Sequence, residues 1–357
     1  MLVDGRLLRV FCSNDYLGLA QHPEVIAALQ AASAQFGAGS GAAHLVTGHS
    51  TPHHQLEAEL AAFTGRERAL LFSTGYMANL GVLSAFAGRG EVVLQDRLNH
   101  ASLIDGARLS GARLLRYRHA DGANAALVLA ERDDCAVIAT DGLFSMDGDV
   151  APLRELAELA ARHRAWLMVD DAHGLGVLGE GGRGSLELAG LDARAAPLLV
   201  GTLGKAFGGF GAFVAGDEAV IELLLQRART YIYTTALPPG VAAAASAALR
   251  LAQREDWRRE QLRARIAQFR AGAATLQLPV TGSTSPIQPL IAGDSARALR
   301  LSRALYELGF WVAAIRPPTV PAGSARLRLT LSTAHSAADV DELLAALARV
   351  WHEEPSP

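Results

Sequence analysis

One lysine, Lys205, stands against 32 arginines, in the run Thr202-Leu203-Gly204-Lys205-Ala206-Phe207-Gly208-Gly209. Arginine can serve wherever only positive charge is needed, but its guanidinium stays protonated and cannot act as an amine nucleophile. A primary amine that must form an imine with a carbonyl is therefore a lysine that arginine cannot replace. The bland alternative is codon bias with one surface lysine left over. Against it, Lys205 follows the apolar run Pro197-Leu198-Leu199-Val200-Gly201 and lies among glycines, where a solvated lysine is not expected. Schiff-base chemistry is the expectation at this position.

Asp170 follows the apolar run Trp166-Leu167-Met168-Val169, and His173 comes shortly after it. A carboxylate there could cap a turn or hold a ring nitrogen protonated. The histidine beside it and the lysine at a later strand end favour the second reading. Pyridoxal phosphate (PLP) requires such a set: an amine for its aldehyde, an acid at its pyridinium nitrogen and donors for its phosphate. The segment Ser73-Thr74-Gly75-Tyr76-Met77-Ala78-Asn79 precedes a helical pattern, so its N–H groups could take a phosphate at the positive helix end, although Ser/Thr-Gly before a helix is more often a plain cap. His100, in Asn99-His100-Ala101-Ser102, fits stacking on a planar cofactor and resting at a helix start equally well.

These residues need a scaffold, and the chain predicts one. Short apolar runs (Ala69-Leu70-Leu71-Phe72, Val92-Val93-Leu94, Ala136-Val137-Ile138-Ala139, Trp166-Leu167-Met168-Val169, Leu198-Leu199-Val200) alternate with stretches of helical periodicity. That alternation predicts an α/β fold with a mainly parallel sheet covered on both faces. Each run ends in a polar or glycine-rich cluster, and ligands of open α/β sheets bind beyond the carboxyl ends of the strands. After Pro238-Pro239-Gly240 a long helical stretch reaches about Leu276, followed by strand-like Pro286–Ile291 and Arg326–Leu331 in a smaller α+β domain. The expected division is an N-terminal segment 1–38 packing with the small domain, a large domain 39–240 and a small domain 241–357.

Two patterns are set aside. Gly174-x-Gly176-x-x-Gly179 and Gly179-x-Gly181-x-x-Gly184 match the dinucleotide fingerprint, but the glycines run on with no helix opening at the turn. His44, His49, His53 and His54 invite a zinc site, yet no cysteine or HExxH completes a ligand set, so helix-start and loop roles are expected and no metal. The net charge of -3 gives no support to a nucleic-acid partner. Two cysteines, Cys12 and Cys135, cannot build a disulfide framework, and no apolar run reaches membrane-spanning length. The expectation is a cytoplasmic protein with no membrane partner.

Ser13-Asn14-Asp15-Tyr16-Leu17-Gly18, Asp141-Gly142-Leu143-Phe144-Ser145-Met146-Asp147-Gly148-Asp149, Val169-Asp170-Asp171-Ala172-His173-Gly174 and Thr202-Leu203-Gly204-Lys205 together resemble the α-oxoamine synthases, fold-type I PLP enzymes of the aspartate aminotransferase-like kind. These condense an amino acid with an acyl thioester and release carbon dioxide. Ile287–Ile291 and the Pro317-Pro318-Thr319 turn are similar to the biotin-pathway branch, which joins L-alanine to a pimeloyl thioester carried on coenzyme A or acyl carrier protein. A glycine C-acetyltransferase or 5-aminolevulinate synthase type is the nearest alternative, and a non-catalytic PLP-sensing domain the alternative of another class.

The resemblance implies roles. Lys205 holds the cofactor and then removes the Cα proton, Asp170 keeps the ring nitrogen protonated, and His100 stacks on the ring. His173 and Ser145 bond around the ring's 3-oxygen, and Thr202 also reaches the cofactor. Gly75 and Tyr76 lie at the phosphate, with Thr234 and Thr235 contacting it across a homodimer interface. Arg328 clamps the substrate carboxylate, while Asn14, His100 and Thr319 contact substrate. Members of that family begin earlier, in a helical arm carrying an arginine that contacts the acyl substrate. The expectation is either a start assigned late or an acyl donor bound differently. Asp141 and Tyr76 stand where glutamate and phenylalanine are common.

Overall fold

The computed structural model describes residues 1–353, which divide into two compact units. One comprises Leu19–Phe144 and Val150–Glu255; the other comprises Met1–Gly18, Ser145–Asp149 and the chain from Asp256 onward.

The larger unit is built on a seven-stranded sheet in the order Arg68–Phe72, Ala212–Gly216, Leu198–Thr202, Trp166–Asp170, Cys135–Asp141, Val92–Asp96, Arg113–Tyr117. Only Ala212–Gly216 runs antiparallel to its neighbours. Central strands of such a sheet are buried on both faces and read as continuous apolar runs, which is why five of the seven were legible in the sequence. The two that were not are Arg113–Tyr117, where exposed Arg113 and Arg116 interrupt the apolar run, and Ala212–Gly216, buried throughout but continuous with a glycine-rich turn.

Alternation along the strands sorts side chains into two cores. Val93, Val137, Ala139, Met168, Val200 and Val214 pack under the helices Gly75–Phe86, Ala101–Ser110 and Glu218–Arg227. Val92, Leu94, Ile138, Leu167, Val169 and Leu199 pack under Gly122–Leu129, Leu153–His163 and Ser185–Ala189. Burying each Val or Leu fully contributes about 1.5–3 kcal/mol. The two faces therefore hold the strand ends rigidly where the polar clusters emerge.

The smaller unit carries a three-stranded antiparallel sheet, Ile287–Gly293, Ala325–Thr330 and Ala313–Ile315, with Ala325–Thr330 in the middle. Its helices are Trp257–Thr275, Ser295–Glu307 and Ala337–Glu353. The first residues of the chain join it by a short parallel pairing of Arg9–Val10 with Phe310–Trp311 and by the Thr330 N–H donating to the Phe11 carbonyl at 2.8 Å. Ser145–Asp149 is held by Arg326, which donates to the Met146 carbonyl at 3.1 Å, and by the Ser283 hydroxyl donating to the Gly148 carbonyl at 2.8 Å.

Compactness divides the chain differently from the boundaries expected at 38 and 240. The helix Pro23–Phe36 packs on Pro239–Arg254, and both belong to the larger unit. The helical stretch expected to run unbroken to Leu276 is two helices, because the chain leaves helical geometry at Glu255 and restarts at Trp257.

Candidate active site

Lys205 lies in the loop after the strand Leu198–Thr202 and is half-buried. The loop is closed by its own backbone: Leu203 N–H donates to the Gly211 carbonyl at 2.9 Å, Gly209 N–H to Leu203 at 2.8 Å and Gly208 N–H to Lys205 at 2.8 Å. Gly208 has φ +61°, and a Cβ there would lie 2.3 Å from the Ala20 backbone nitrogen, so only glycine permits this turn. The Thr202 hydroxyl donates to the Gly211 carbonyl at 3.1 Å and accepts from the Gly204 N–H at 3.2 Å.

Asp141 and Asp170 end adjacent parallel strands and are register partners. Side chains paired across parallel strands point to the same face, so two carboxyls share one neighbourhood. Burial, then the Asp170 charge, holds the Asp141 carboxyl well above the usual carboxylate range; the His100 N–H, donated at 2.7 Å, and the Lys205 ammonium pull it back. Asp170 is itself fixed by two donors, the Ala172 N–H at 3.1 Å and the Asn79 amide nitrogen at 2.6 Å.

His100 caps the helix Ala101–Ser110 and is exposed. Its Nδ1 lies 2.7 Å from the Ser102 hydroxyl and accepts the Ser102 N–H at 3.3 Å. His173 is buried in the turn that follows Asp170. Gly75 and Tyr76 open the helix Gly75–Phe86 behind the cap Thr74, whose hydroxyl accepts the Met77 N–H at 3.2 Å. A Cβ on Gly75 would meet nothing within 4 Å, so there is open space beside the helix start, whose first N–H groups form its positive end. The Tyr76 hydroxyl donates to Asp105. Thr234 is half-buried and Thr235 exposed; Thr235 bridges Ala43 at the approach to the helix Pro239–Arg254.

The smaller unit holds the other predicted residues. Arg328, on the central strand Ala325–Thr330, is buried; it donates from Nε to the Ser145 carbonyl at 2.6 Å and from Nη2 to Asn14 Oδ1 at 3.2 Å. Asn14 Oδ1 also accepts the Tyr16 hydroxyl at 3.2 Å, and burial pushes the Tyr16 phenol up to about 12 against the opposing pull of Arg328. Asn14, Ser145 and Arg328 are thus one hydrogen-bonded cluster. Thr319 is exposed and its N–H bonds locally, to the Arg316 carbonyl at 3.0 Å.

The glycines that mimic a dinucleotide fingerprint instead close around a buried carboxylate. Asp171 Oδ2 accepts the Ser185 N–H at 2.6 Å, and burial pushes its carboxyl up to about 7. Gly184 has φ +91°, and a Cβ there would lie 1.9 Å from Asp171 Oδ2. The short helix Ser185–Ala189 does open after Gly184, a whole glycine-rich turn beyond the strand. The histidines are likewise structural: His53 completes a capping box with Ser50, and the ring of His44 stacks on Tyr231 at 5.0 Å.

Sequence reasoning missed Asn79, Asn99 and Ser102. Asn99 accepts the Asp141 N–H at 3.1 Å and donates to the Ala139 carbonyl at 2.8 Å, locking the strand end that carries Asp141. All three residues stood inside motifs already singled out, but nothing in their spacing told which strand end they face.

A family model described as Aminotransferase class I and II matches residues 9–347. The 8-amino-7-oxononanoate synthase of Thioalkalivibrio sulfidiphilus is 62% identical over 350 residues, 98% of this chain and 89% of its own. Among solved structures, the 8-amino-7-oxononanoate synthase of Francisella tularensis superposes with a TM-score of 0.84 at 32% identity, covering 97% of this chain and 98% of its own. A serine palmitoyltransferase variant from S. paucimobilis with a bound PLP–myriocin aldimine gives 0.95 at 32% identity over 98% of this chain and 89% of its own. An open strand-end site with one amine and coupled carboxylates, on a fold shared along nearly the whole chain, places it plainly: this chain belongs to the class I and II aminotransferase family and, within it, to the 8-amino-7-oxononanoate synthases.

Proposed function

We propose that this chain catalyses the PLP-dependent condensation of L-alanine with a pimeloyl thioester, carried on coenzyme A or acyl carrier protein, to 8-amino-7-oxononanoate, carbon dioxide and free thiol in biotin biosynthesis. The observation that carries the reading is the only lysine of the chain in a loop beside the paired carboxyls Asp141 and Asp170.

The residues fit PLP. The open, glycine-started helix suits its phosphate, and the doubly bonded Asp170 carboxylate suits a protonated ring nitrogen. Bound PLP supplies an aldehyde for amine exchange and an electron sink for charge developing at the amino-acid Cα. Lys205 would hold the aldehyde carbon and, once alanine has displaced it, accept the Cα proton at Nζ. Asp170 would hold a proton at the ring nitrogen, His100 would stack on the ring, and His173, Ser145 and Thr202 would bond its substituents. Gly75 and Tyr76 would hold the phosphate, with Thr234 and Thr235 reaching it from a second copy.

Arg328 would bind the alanine carboxylate as a forked donor, a geometry that lysine does not reproduce. Asn14 and Thr319 line the substrate. In the balance of the reaction, the alanine Cα forms a bond to the acyl carbon as the carbon–sulfur bond breaks. The thiol leaves with a proton, the alanine carboxylate is lost as carbon dioxide, and the electron pair left at Cα takes up a proton before the product departs. Holding both reactants in place supplies the effective concentration.

The reading includes a cytoplasmic homodimer, to be checked by sedimentation and by fractionation of cells. Its direct test is the visible spectrum of the protein with PLP, titrated with L-alanine and with glycine, followed by pimeloyl-coenzyme A. A stronger response to alanine, with thiol release and the expected product by mass spectrometry, supports it. A response to glycine alone would move the chain to a glycine-using α-oxoamine synthase, and no turnover with any thioester would favour a PLP-sensing role.

A further inference from the structure

The Asn79 amide nitrogen donates to Asp170 Oδ2 at 2.6 Å and to the Ser102 hydroxyl oxygen at 2.8 Å. The Ser102 hydroxyl lies 2.7 Å from His100 Nδ1. Asn79, Ser102 and Asp170 are buried, and His100 is exposed at the end of the chain of bonds. We propose that Asn79 and Ser102 are positioning residues that couple the charge of Asp170 to the ring tautomer of His100, so that His100 accepts at Nδ1 and presents Nε2–H outward.

Two fixed groups set the directions, the Asp170 carboxylate at one end and the Ser102 backbone N–H at the other. An ionised carboxylate only accepts, so the Asn79 nitrogen must face Asp170; the flipped amide would set Oδ1 against a carboxylate oxygen. Asn79 Oδ1 is buried without a partner, so the amide holds this orientation even though one of its own acceptors goes unsatisfied. One N–H of the amide goes to Asp170 and the other to Ser102. The Ser102 oxygen accepts from Asn79, and its own proton goes to His100 Nδ1, which is an acceptor because the Ser102 backbone N–H also points at it. The Ser102 backbone N–H, donated to the same nitrogen at 3.3 Å, reinforces the choice, because a backbone donor cannot reverse. The remaining ring proton is on Nε2, which carries no hydrogen-bond partner among the described residues.

Protonating Asp170 would reverse the chain. A neutral carboxyl could donate to a flipped Asn79, whose oxygen would then take the Ser102 proton and leave the Ser102 oxygen to accept Nδ1–H. The backbone donor at Ser102 opposes that reversal. An ionised Asp170 and the Ser102 backbone N–H thus favour the same tautomer of His100. For an aromatic face resting on a ring whose nitrogen is held by Asp170, the arrangement leaves an Nε2–H donor free for substrate. This consequence rests on the PLP reading; the geometry of the chain of bonds does not.

The test is nitrogen NMR of protein labelled at its histidines, without and with PLP, the His100 signal being assigned by its loss in His100→Phe. One tautomer, with Nε2 protonated and Nδ1 bare, is expected in both states. A predominant Nδ1–H form would overturn the proposal. In Asn79→Leu, where the serine hydroxyl is no longer directed, both tautomers are expected, together with a shifted absorbance of bound PLP. An unchanged tautomer and spectrum would remove Asn79 from the coupling. Should Asn79→Leu not fold, Ser102→Ala is read in the same way: a mixture of tautomers supports the coupling, and an unchanged single tautomer overturns it. Failure of the protein to take up PLP would count against the proposed function, and the cofactor-free spectrum would still judge the hydrogen-bonded chain.

Discussion

Arg328 Nε donates to the Ser145 carbonyl at 2.6 Å, although the two residues are 183 positions apart in sequence. Arg328 is held by its neighbours before any substrate arrives, since Nη2 also reaches Asn14. A preplaced guanidinium loses little freedom on binding a carboxylate, and the two faces of its fork are not equivalent to a lysine point charge.

Replacing Arg328 is therefore expected to act on amino-acid binding. Arg328→Ala should weaken alanine by roughly 2–3 kcal/mol, about 30–150-fold in KM, as for a lost charge-assisted pair. Arg328→Lys should recover only part of that. Steady-state kinetics against alanine at saturating thioester measure both, and an unchanged KM in Arg328→Ala would assign the carboxylate to another group.

Lys205→Arg should abolish the visible absorbance of lysine-bound PLP and lower turnover by at least the 10²–10⁴-fold typical of a lost acid–base group, roughly speaking. The circular dichroism and unfolding midpoint should stay close to wild type, because the loop is held by its own backbone bonds and by Gly208. Retained turnover would sink the assigned chemistry.

Asp171 gives a pH dependence of stability. Burial raises its carboxyl from the ordinary range to about 7, so the folded protein binds a proton that the unfolded chain releases near pH 4. Stability from this group is complete below the unfolded value and falls as pH rises toward 7. Asp171→Asn removes the dependence while leaving an oxygen to accept the Ser185 N–H. Its unfolding free energy relative to wild type should rise by about 2–3 kcal/mol between pH 5 and pH 8. Urea titrations at the two pH values check this, and a pH-independent difference would show that Asp171 stays ionised.

Tyr76→Phe should be nearly silent. The hydroxyl bonds Asp105 at an exposed site, where water competes for the contact and little stability rests on it. Backbone donors at the helix start, not the phenol, suit a phosphate, so PLP affinity and turnover should change by less than roughly fivefold. A larger loss of affinity, measured by cofactor titration, would give the hydroxyl a direct part in binding.

Much of the larger unit was legible because its central strands are buried on both faces. Cys135–Asp141, Trp166–Asp170 and Leu198–Thr202 announce themselves as apolar runs ending in polar residues. Arg113–Tyr117 was not legible, since exposed Arg113 and Arg116 interrupt its apolar run, and neither were the compact units, because the packing of Pro23–Phe36 on Pro239–Arg254 leaves no mark in local composition.

The choice of Lys205 as the candidate amine was set by residue type alone: no other side chain in this sequence is an amine. The same holds for the carboxylate at the end of a buried strand, whose place beyond the sheet edge follows from period and punctuation. What only the tertiary structure decided is the partnership of these groups. Strand register set Asp141 beside Asp170, helix packing brought Asn79 and Ser102 between Asp170 and His100, and the path of the chain carried Ser145 and Asn14 to Arg328. Hydrogen bonds are directional and short in reach, so they depend on side-chain positions to a fraction of an ångström. Residue spacing along a sequence specifies faces and ends, and such positions arise only when the faces pack.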